Sequence, residues 1–585
     1  MSAAMHATEV RLVQNGGQYT LLRGGEPYVV NGAGGSERLE ELAACGGNSI
    51  RTWGTDNLEP LLDRAHALGL SVTVGIWLGH PRHGFDYTDD QQVSRQLKAA
   101  ESAIVRYRNH PALLMWGVGN EMEEDGNNPA IWYAVNHIAR RAKELDPSHP
   151  TITIIAELGG RKVANVHRFC PDVDVVGINS YGGLSSVGQR YREAGGSKPY
   201  VVTEFGPPGQ WETGKTAWGA PLEMTSTAKA EWYSNGYRDG IAAHPGICLG
   251  SYAFVWGAKQ EATATWFGMF LRQGEELGDR LGAVEAMRQA WGGPAPENRC
   301  PTIAELALTG SASAPPGTEF TATVVAEDPD GDALQLRWVL RRESGLYATG
   351  GDAQAEQPEY PEAIIATEER TATVRLPESG GSYRLFVYVH DGQGNAAVAN
   401  LPLQVDGPVL PVPAPSGPLP YQIYAEGPDE SAYACSGYMG ETTAITMDVR
   451  CTETPHDGAH CIRVDYAKAD GWGGVVWQSP PNDWGDQPGG FDFTGATELE
   501  FYARGARGGE VVSFHVGMIG PDKPYPDTAQ AELKAVRLRT DWQRLRVPLD
   551  GRDLSRIKSG FAWVLAGQGQ PVTFYLDDIR FVAGD

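Results

Sequence analysis

Glu121 closes the run Trp116-Gly117-Val118-Gly119-Asn120-Glu121, and Glu204 sits in Thr203-Glu204-Phe205-Gly206. Each follows a short apolar run that reads as a buried strand, so each carboxyl is expected just past a strand end. Two carboxyl groups facing each other can cleave a glycosidic bond. One protonates the leaving oxygen while the other attacks the anomeric carbon, at a separation of about 5–5.5 Å when configuration is retained. The acid needs a raised pKa and the nucleophile must stay ionised, which different neighbours can arrange. Arg51 is positioned to keep Glu204 charged, Tyr181 to hydrogen-bond the same carboxylate, and Asn120 to hold a sugar 2-hydroxyl.

Eight short apolar runs occupy the first half of the chain: Tyr28–Gly32, Ser49–Trp53, Ser71–Trp77, Leu113–Val118, Thr151–Ala156, Val173–Asn179, Tyr200–Glu204 and Cys248–Val255. Helical patterns lie between them. Leu58–Leu68 follows the capping candidates Asp56 and Asn57, Gln91–Tyr107 stops before Asn109-His110-Pro111, and Pro129–Leu145 sets Ile131, Val135, Ile138, Ala142 and Leu145 on one stripe. The alternation predicts a (β/α)8 barrel over residues 1–295, whose site lies at the C-terminal strand ends. Those ends also carry Trp53, Trp77, His80, His83 and Trp256. Trp53, His80, Tyr181 and Trp256 are taken with Arg51 and Asn120 as substrate-binding, the alternative for each aromatic being loop or barrel packing. Glu157 and Trp211 are expected near the mouth, Trp211, Trp218 and Trp266 are candidates for an acceptor site, and Glu123-Glu124-Asp125 reads as a solvated acidic loop.

Arg51, the Asn120-Glu121 pair, Tyr181, Glu204 and Trp256, set in an eight-strand pattern, resemble clan A of the glycoside hydrolases, which includes β-galactosidases, β-glucuronidases, cellulase-like enzymes and glucanosyltransferases. The similarity is greatest to the family 2 barrel and covers about residues 26–290. It implies that Glu121 is the general acid/base and Glu204 the nucleophile. The expected function is a retaining glycoside hydrolase acting on a β-linked glycan, a β-glucan by clan analogy and by the appended module described next. The alternatives are a transglycosylase using the same glutamates and, from another class, a non-catalytic glycan-binding protein. No organic or redox cofactor is implied.

Past residue 295 helical periodicity stops. Residues 300–406 alternate as an immunoglobulin-like β-sandwich, read as a spacer, with Asp328-Pro329-Asp330-Gly331-Asp332 as a solvated turn rather than a calcium loop. A Pro-rich linker spans 407–420, and 421–585 has the length and pattern of a jelly roll. Its runs Thr540–Leu549, Gly560–Trp563 and Phe574–Ile579 resemble jelly-roll carbohydrate-binding modules; Trp472, Trp477, Trp484 and Tyr525 read first as core packing, with sugar stacking the alternative, and the resemblance implies a candidate structural calcium at Glu426 and Asp577.

With 73 acidic and 48 basic residues the formal net charge is -25, which argues against binding a phosphate backbone and suits a neutral saccharide partner. No apolar run is long enough to span a membrane. No signal peptide is visible, while an appended glycan module fits an extracellular or periplasmic setting. None of the seven cysteines has metal-ligand spacing, and Cys451 and Cys461 are candidates to face each other across a hairpin.

Overall fold

The computed structural model describes residues 7–345, 347, 351–352, 354, 356–410, 414–427 and 431–583. The chain divides into two compact units, Met1–Val409 and Leu410–Asp585.

The first unit contains a closed barrel of eight parallel strands: β1 Val30–Gly34, β2 Ser49–Arg51, β3 Ser71–Ile76, β4 Leu113–Asn120, β5 Thr151–Ala156, β6 Val175–Asn179, β7 Tyr200–Phe205 and β8 Cys248–Ala253. Each is followed by its helix: α1 Leu39–Ala44, α2 Leu58–Ala67, α3 Asp90–Tyr107, α4 Pro129–Leu145, α5 Lys162–Phe169, α6 Val187–Glu193, α7 Ser226–Gly236 and α8 Gly282–Ala290. The strands are buried on both faces, which is why they read as continuous apolar runs. Helix α4 begins where the Asn128 side chain accepts from the Ala130 amide and Pro129 takes the first position. Inside the barrel, the Tyr252 hydroxyl bonds Ser49 (2.9 Å) and Thr73 (2.6 Å), a polar layer drawn from β8, β2 and β3. A hairpin of Val10–Asn15 and Gln18–Arg23, absent from the sequence reading, packs Val10 and Leu21 against Leu114, Met115 and Tyr252.

The sandwich has one sheet of Thr302–Leu308, Glu319–Glu327, Thr371–Arg375 and Ile364–Glu368. Its other sheet includes Asn395–Val405, Gly381–His390 and Gln335–Arg342 and is extended by Phe270–Gln273 and Glu276–Leu281, a hairpin lying between β8 and α8. Barrel and sandwich thus share a sheet. They also share a buried ionic cluster. Glu223 takes Lys229 (2.5 Å), Thr263, Thr265 and Asn400, while Arg384 pairs with Glu343 and donates to the Pro221 carbonyl (2.7 Å). The reading of this domain as a spacer is therefore corrected. The DPDGD turn is held by Asp328, which accepts from the amides of Asp330 and Asp332, and Asp328 and Asp332 converge with Asp391.

The second unit is a sandwich of two antiparallel sheets. One contains Ile445–Cys451, Cys461–Tyr466, Val572–Ala583, Ala496–Gly505 and Gln543–Pro548; the other contains Ala434–Gly440, Trp472–Gln478, Ser559–Ala566, Val511–Val516 and Ala531–Arg537. Cys451 and Cys461 are register partners and free thiols. Trp477 belongs to the core and Tyr525 is buried, whereas Trp472 is exposed. Glu426 accepts from the amides of Ala459 and His460, and Asp577 from those of His456 and Asp578. No helix among the described residues is long and apolar enough to cross a membrane.

Candidate active site

Glu204 lies within β7, one residue from its end, and points into a cleft of about 580 Å³ at the C-terminal mouth of the barrel. Three donors converge on it. Arg51 from the end of β2 reaches Oε1 at 2.9 Å, the Trp53 indole reaches the same oxygen at 2.9 Å, and the Tyr181 hydroxyl reaches Oε2 at 2.8 Å. Arg51 is itself buried and held by the Thr203 carbonyl (2.9 Å) and the Asn120 amide oxygen (2.5 Å). These contacts fix the carboxylate and neutralise its charge locally. Burial, with Glu204 and Glu121 adding to it, raises the Tyr181 pKa well above its ordinary value, so the phenol stays a donor.

Glu121 follows β4 across an irregularity in the β4–β5 register. The turn needs Gly119 at φ +74°, where a Cβ would lie 2.2 Å from Met122 Sδ, and it leaves Glu121 itself in the left-handed region at φ +54°. Its Oε1 accepts from Asn179 at 2.7 Å, and Asn179 also donates to Asn120 at 3.2 Å. The two carboxylates are thereby joined by a continuous relay, Glu204–Arg51–Asn120–Asn179–Glu121. Lodged deep in the cleft, Glu121 has its pKa pushed up to about 7, first by burial and then by the charge of Glu204. The pair therefore has the asymmetry an acid and a nucleophile require.

Of the residues chosen from sequence, Glu121, Glu204, Asn120, Tyr181, Trp53 and His80 line this cleft, and Arg51 lies directly beneath Glu204. Trp53 is a hydrogen-bond donor to the carboxylate rather than a free stacking face. Trp256 is corrected. It is 1% exposed, packs against Phe270 and Trp291, and donates to the Arg38 carbonyl (3.3 Å), while Phe254 and Val255 take the cleft wall. Trp77, Trp211 and Glu157 also line the cleft, whereas Trp266 is buried, bonded to the Pro208 carbonyl. Glu123 is likewise corrected: it is buried, accepts from the Ala156 amide (2.7 Å) and pairs with Lys162 (3.1 Å). Asn179, Glu212, Lys259 and Glu261 also line the cleft and were not selected from sequence. Asn179 was within reach, because it ends an apolar run as Asn120 does. Lys259 and Glu261 lie in a loop with no periodic pattern to place them.

Residues 62–224 match the family model for the TIM barrel domain of glycosyl hydrolases family 2. Curated relatives include β-glucuronidases from Streptococcus agalactiae, 26% identical over 264 residues (37% of this chain, 40% of that one), and from Sus scrofa, 27% identical over 180 residues (28% and 26%). The chain spans between a fifth and two-fifths of the length of the relatives it matches. Similar solved structures include a β-D-glucuronidase of Dictyoglomus thermophilum (TM-score 0.38, 20% identity, 49% of this chain and 53% of that one) and an endo-β-1,4-mannanase of Thermotoga petrophila (TM-score 0.33, 14% identity, 65% and 98%). Both glutamates lie inside the stretch that is similar to this family's TIM barrel domain, and both stand at the mouth of a closed eight-stranded barrel.

Proposed function

We propose that the protein is a retaining glycoside hydrolase acting on an uncharged β-linked glycan, a β-glucan. The observation that carries the reading is the relay from Glu204 through Arg51, Asn120 and Asn179 to Glu121, which holds two carboxyl groups in one cleft with unlike environments. Glu204 attacks the anomeric carbon as the bond to the leaving oxygen breaks, and the Glu121 proton passes to that oxygen. Water then attacks the same carbon, gives its proton to Glu121 and releases Glu204.

The charges of the cleft support an uncharged sugar. Glu121, Glu124, Glu157, Glu204, Glu212 and Glu261 line it. The cations near it are engaged: Arg51 with Glu204, Lys259 with Glu261 (2.7 Å), Arg190 with Glu157 (2.6 Å) and Arg82 with Asp352 (3.3 Å). A sugar carboxylate would have to break one of these pairs among six acidic neighbours. Transfer to a second sugar, the alternative, uses the same two glutamates, and the exposed indoles of Trp77 and Trp211 in the cleft would serve a sugar acceptor. A glycan-binding role for the C-terminal unit belongs to the same proposal, supported by the exposed Trp472, as does action outside the cytoplasm, where such polymers are met.

The test is product analysis on β-1,2-, β-1,3-, β-1,4- and β-1,6-glucans, galactans, mannans and a β-glucuronide, with wild type, E121A and E204A. Conversion of a neutral glucan by wild type, at least ~10³-fold faster than by E204A, is expected. Longer products would indicate transfer. Equal conversion by all three proteins would refute the site, and preference for the glucuronide would refute the neutral-sugar part.

A further inference from the structure

The wall of the cleft is not made by the barrel alone. Gly351 of the sandwich lines it, and two neighbours anchor that segment to barrel loops. Asp352 receives Arg82 (3.3 Å) and lies 3.4 Å from His83 Nε2, and Gln354 accepts from the Ala262 amide (2.8 Å). Tyr347 packs on the aromatic cluster of Tyr181, Phe254 and Phe267 and donates to Glu343 (2.9 Å), the buried partner of Arg384.

Beside this seam Trp77 is 50% exposed, with its ring against His80 at 4.9 Å and a 31° tilt. His80 lines the cleft and is 3% exposed, yet its Nε2 has no hydrogen-bond partner among the described residues. Burial pushes its pKa down to about 4, so it is a neutral imidazole able to exchange hydrogen bonds with a hydroxyl. A large exposed indole within a cleft is a surface that a ligand can cover. A pyranose ring laid on Trp77 would cover it with its apolar face, and the buried His80 ring behind the indole fixes that platform. The Arg82–Asp352 pair offers a donor and an acceptor to further hydroxyls.

We propose that Trp77, His80 and Arg82 of the barrel, with Asp352 of the sandwich, form a second sugar subsite, so that the protein recognises a glycan chain rather than a single glycosyl unit. The proposal rests on the glycosidase reading above. Its test compares kcat/KM for 4-nitrophenyl β-D-glucopyranoside and for β-1,3-, β-1,4- and β-1,6-linked glucose tetrasaccharides in wild type, W77A, D352A and D352N, with a thermal melt of each protein. Wild type should prefer one tetrasaccharide over the aryl glycoside. The ratio of the two kcat/KM values should fall tenfold or more in W77A and D352A and by less in D352N. In an E204Q background, calorimetry should show tetrasaccharide affinity weakened at least tenfold by D352A.

An unchanged ratio in W77A and D352A, or a wild type that prefers the aryl glycoside to every tetrasaccharide, overturns the subsite while leaving the glycosidase reading intact. Failure of wild type to cleave either kind of substrate overturns the β-glucan reading, and the subsite with it.

Discussion

The proton on Glu121 links the proposed chemistry to stability. Its folded pKa of about 7 lies above the ordinary 4.5, so the folded protein holds this proton to higher pH than the unfolded chain does. The group is neutral to folding below about pH 4.5 and disfavours it progressively as pH rises through about 7. E121Q keeps an acceptor for Asn179 and has no charge to bury. It should be more stable than wild type by about 2–3 kcal/mol at pH 8 and equal to it at pH 4, measured by urea unfolding at both. Activity runs the other way: the acid form is needed, so kcat/KM should decline above pH 7. The hydrogen bond from Asn179 lowers the Glu121 pKa. N179A should therefore move the basic limb of the profile to higher pH, and a limb that stays or falls would separate Asn179 from the acid. At this scale both glutamates, Arg51, Asn120 and Tyr181 were legible, because strand ends at a barrel mouth have a fixed meaning. Trp256 misled. Phe254 and Trp256 are two apart and would share a face in a strand, but β8 ends at Ala253 and the alternation does not carry past it.

Among the elements, helix α4 was readable to the residue, since Asn128, Pro129 and Asp146-Pro147 punctuate it at both ends. The N-terminal hairpin was readable and missed: Gly16-Gly17 between two alternating runs is a turn signal. The pairing of Glu123 with Lys162 was not readable, because it joins the turn after β4 to the start of α5 and no local pattern announces it. One Glu123 oxygen lacks a hydrogen-bond partner among the described residues, so the pair already leaves little to spare. Removing the cation alone leaves an uncompensated buried carboxylate. K162M should destabilise by about 3–5 kcal/mol, and E123Q combined with K162M should recover much of the loss, a coupling that a double-mutant cycle in guanidinium measures directly.

For the whole molecule, composition and texture were enough to separate a barrel half from a β-rich half, and the acidic balance fits a site crowded with carboxylates. They carry no sign of how closely the barrel and the sandwich are joined. The buried cluster around Glu223, Lys229, Glu343 and Arg384 links residues far apart in the chain, and such long-range pairing leaves no trace in local sequence. A fragment ending at residue 295 loses Arg384 and Asn400 and exposes one edge of a sheet. It is expected to be insoluble or inactive, whereas residues 1–409 should keep the aryl-glycosidase activity of the full chain, and 410–585 should unfold as an independent transition in calorimetry.

The hairpin of Phe270–Gln273 and Glu276–Leu281 lies between the last barrel strand and the last barrel helix, yet pairs with the sandwich. A crossover placed in the 291–301 stretch, where the texture of the chain changes, would graft a foreign sandwich onto a barrel still carrying two strands shaped for the old one. The inheritable module is therefore the 409-residue pair, and recombination that respects the fold must cut in the Pro-rich segment near residue 410. A cut at that point leaves the sheet that barrel and sandwich share intact.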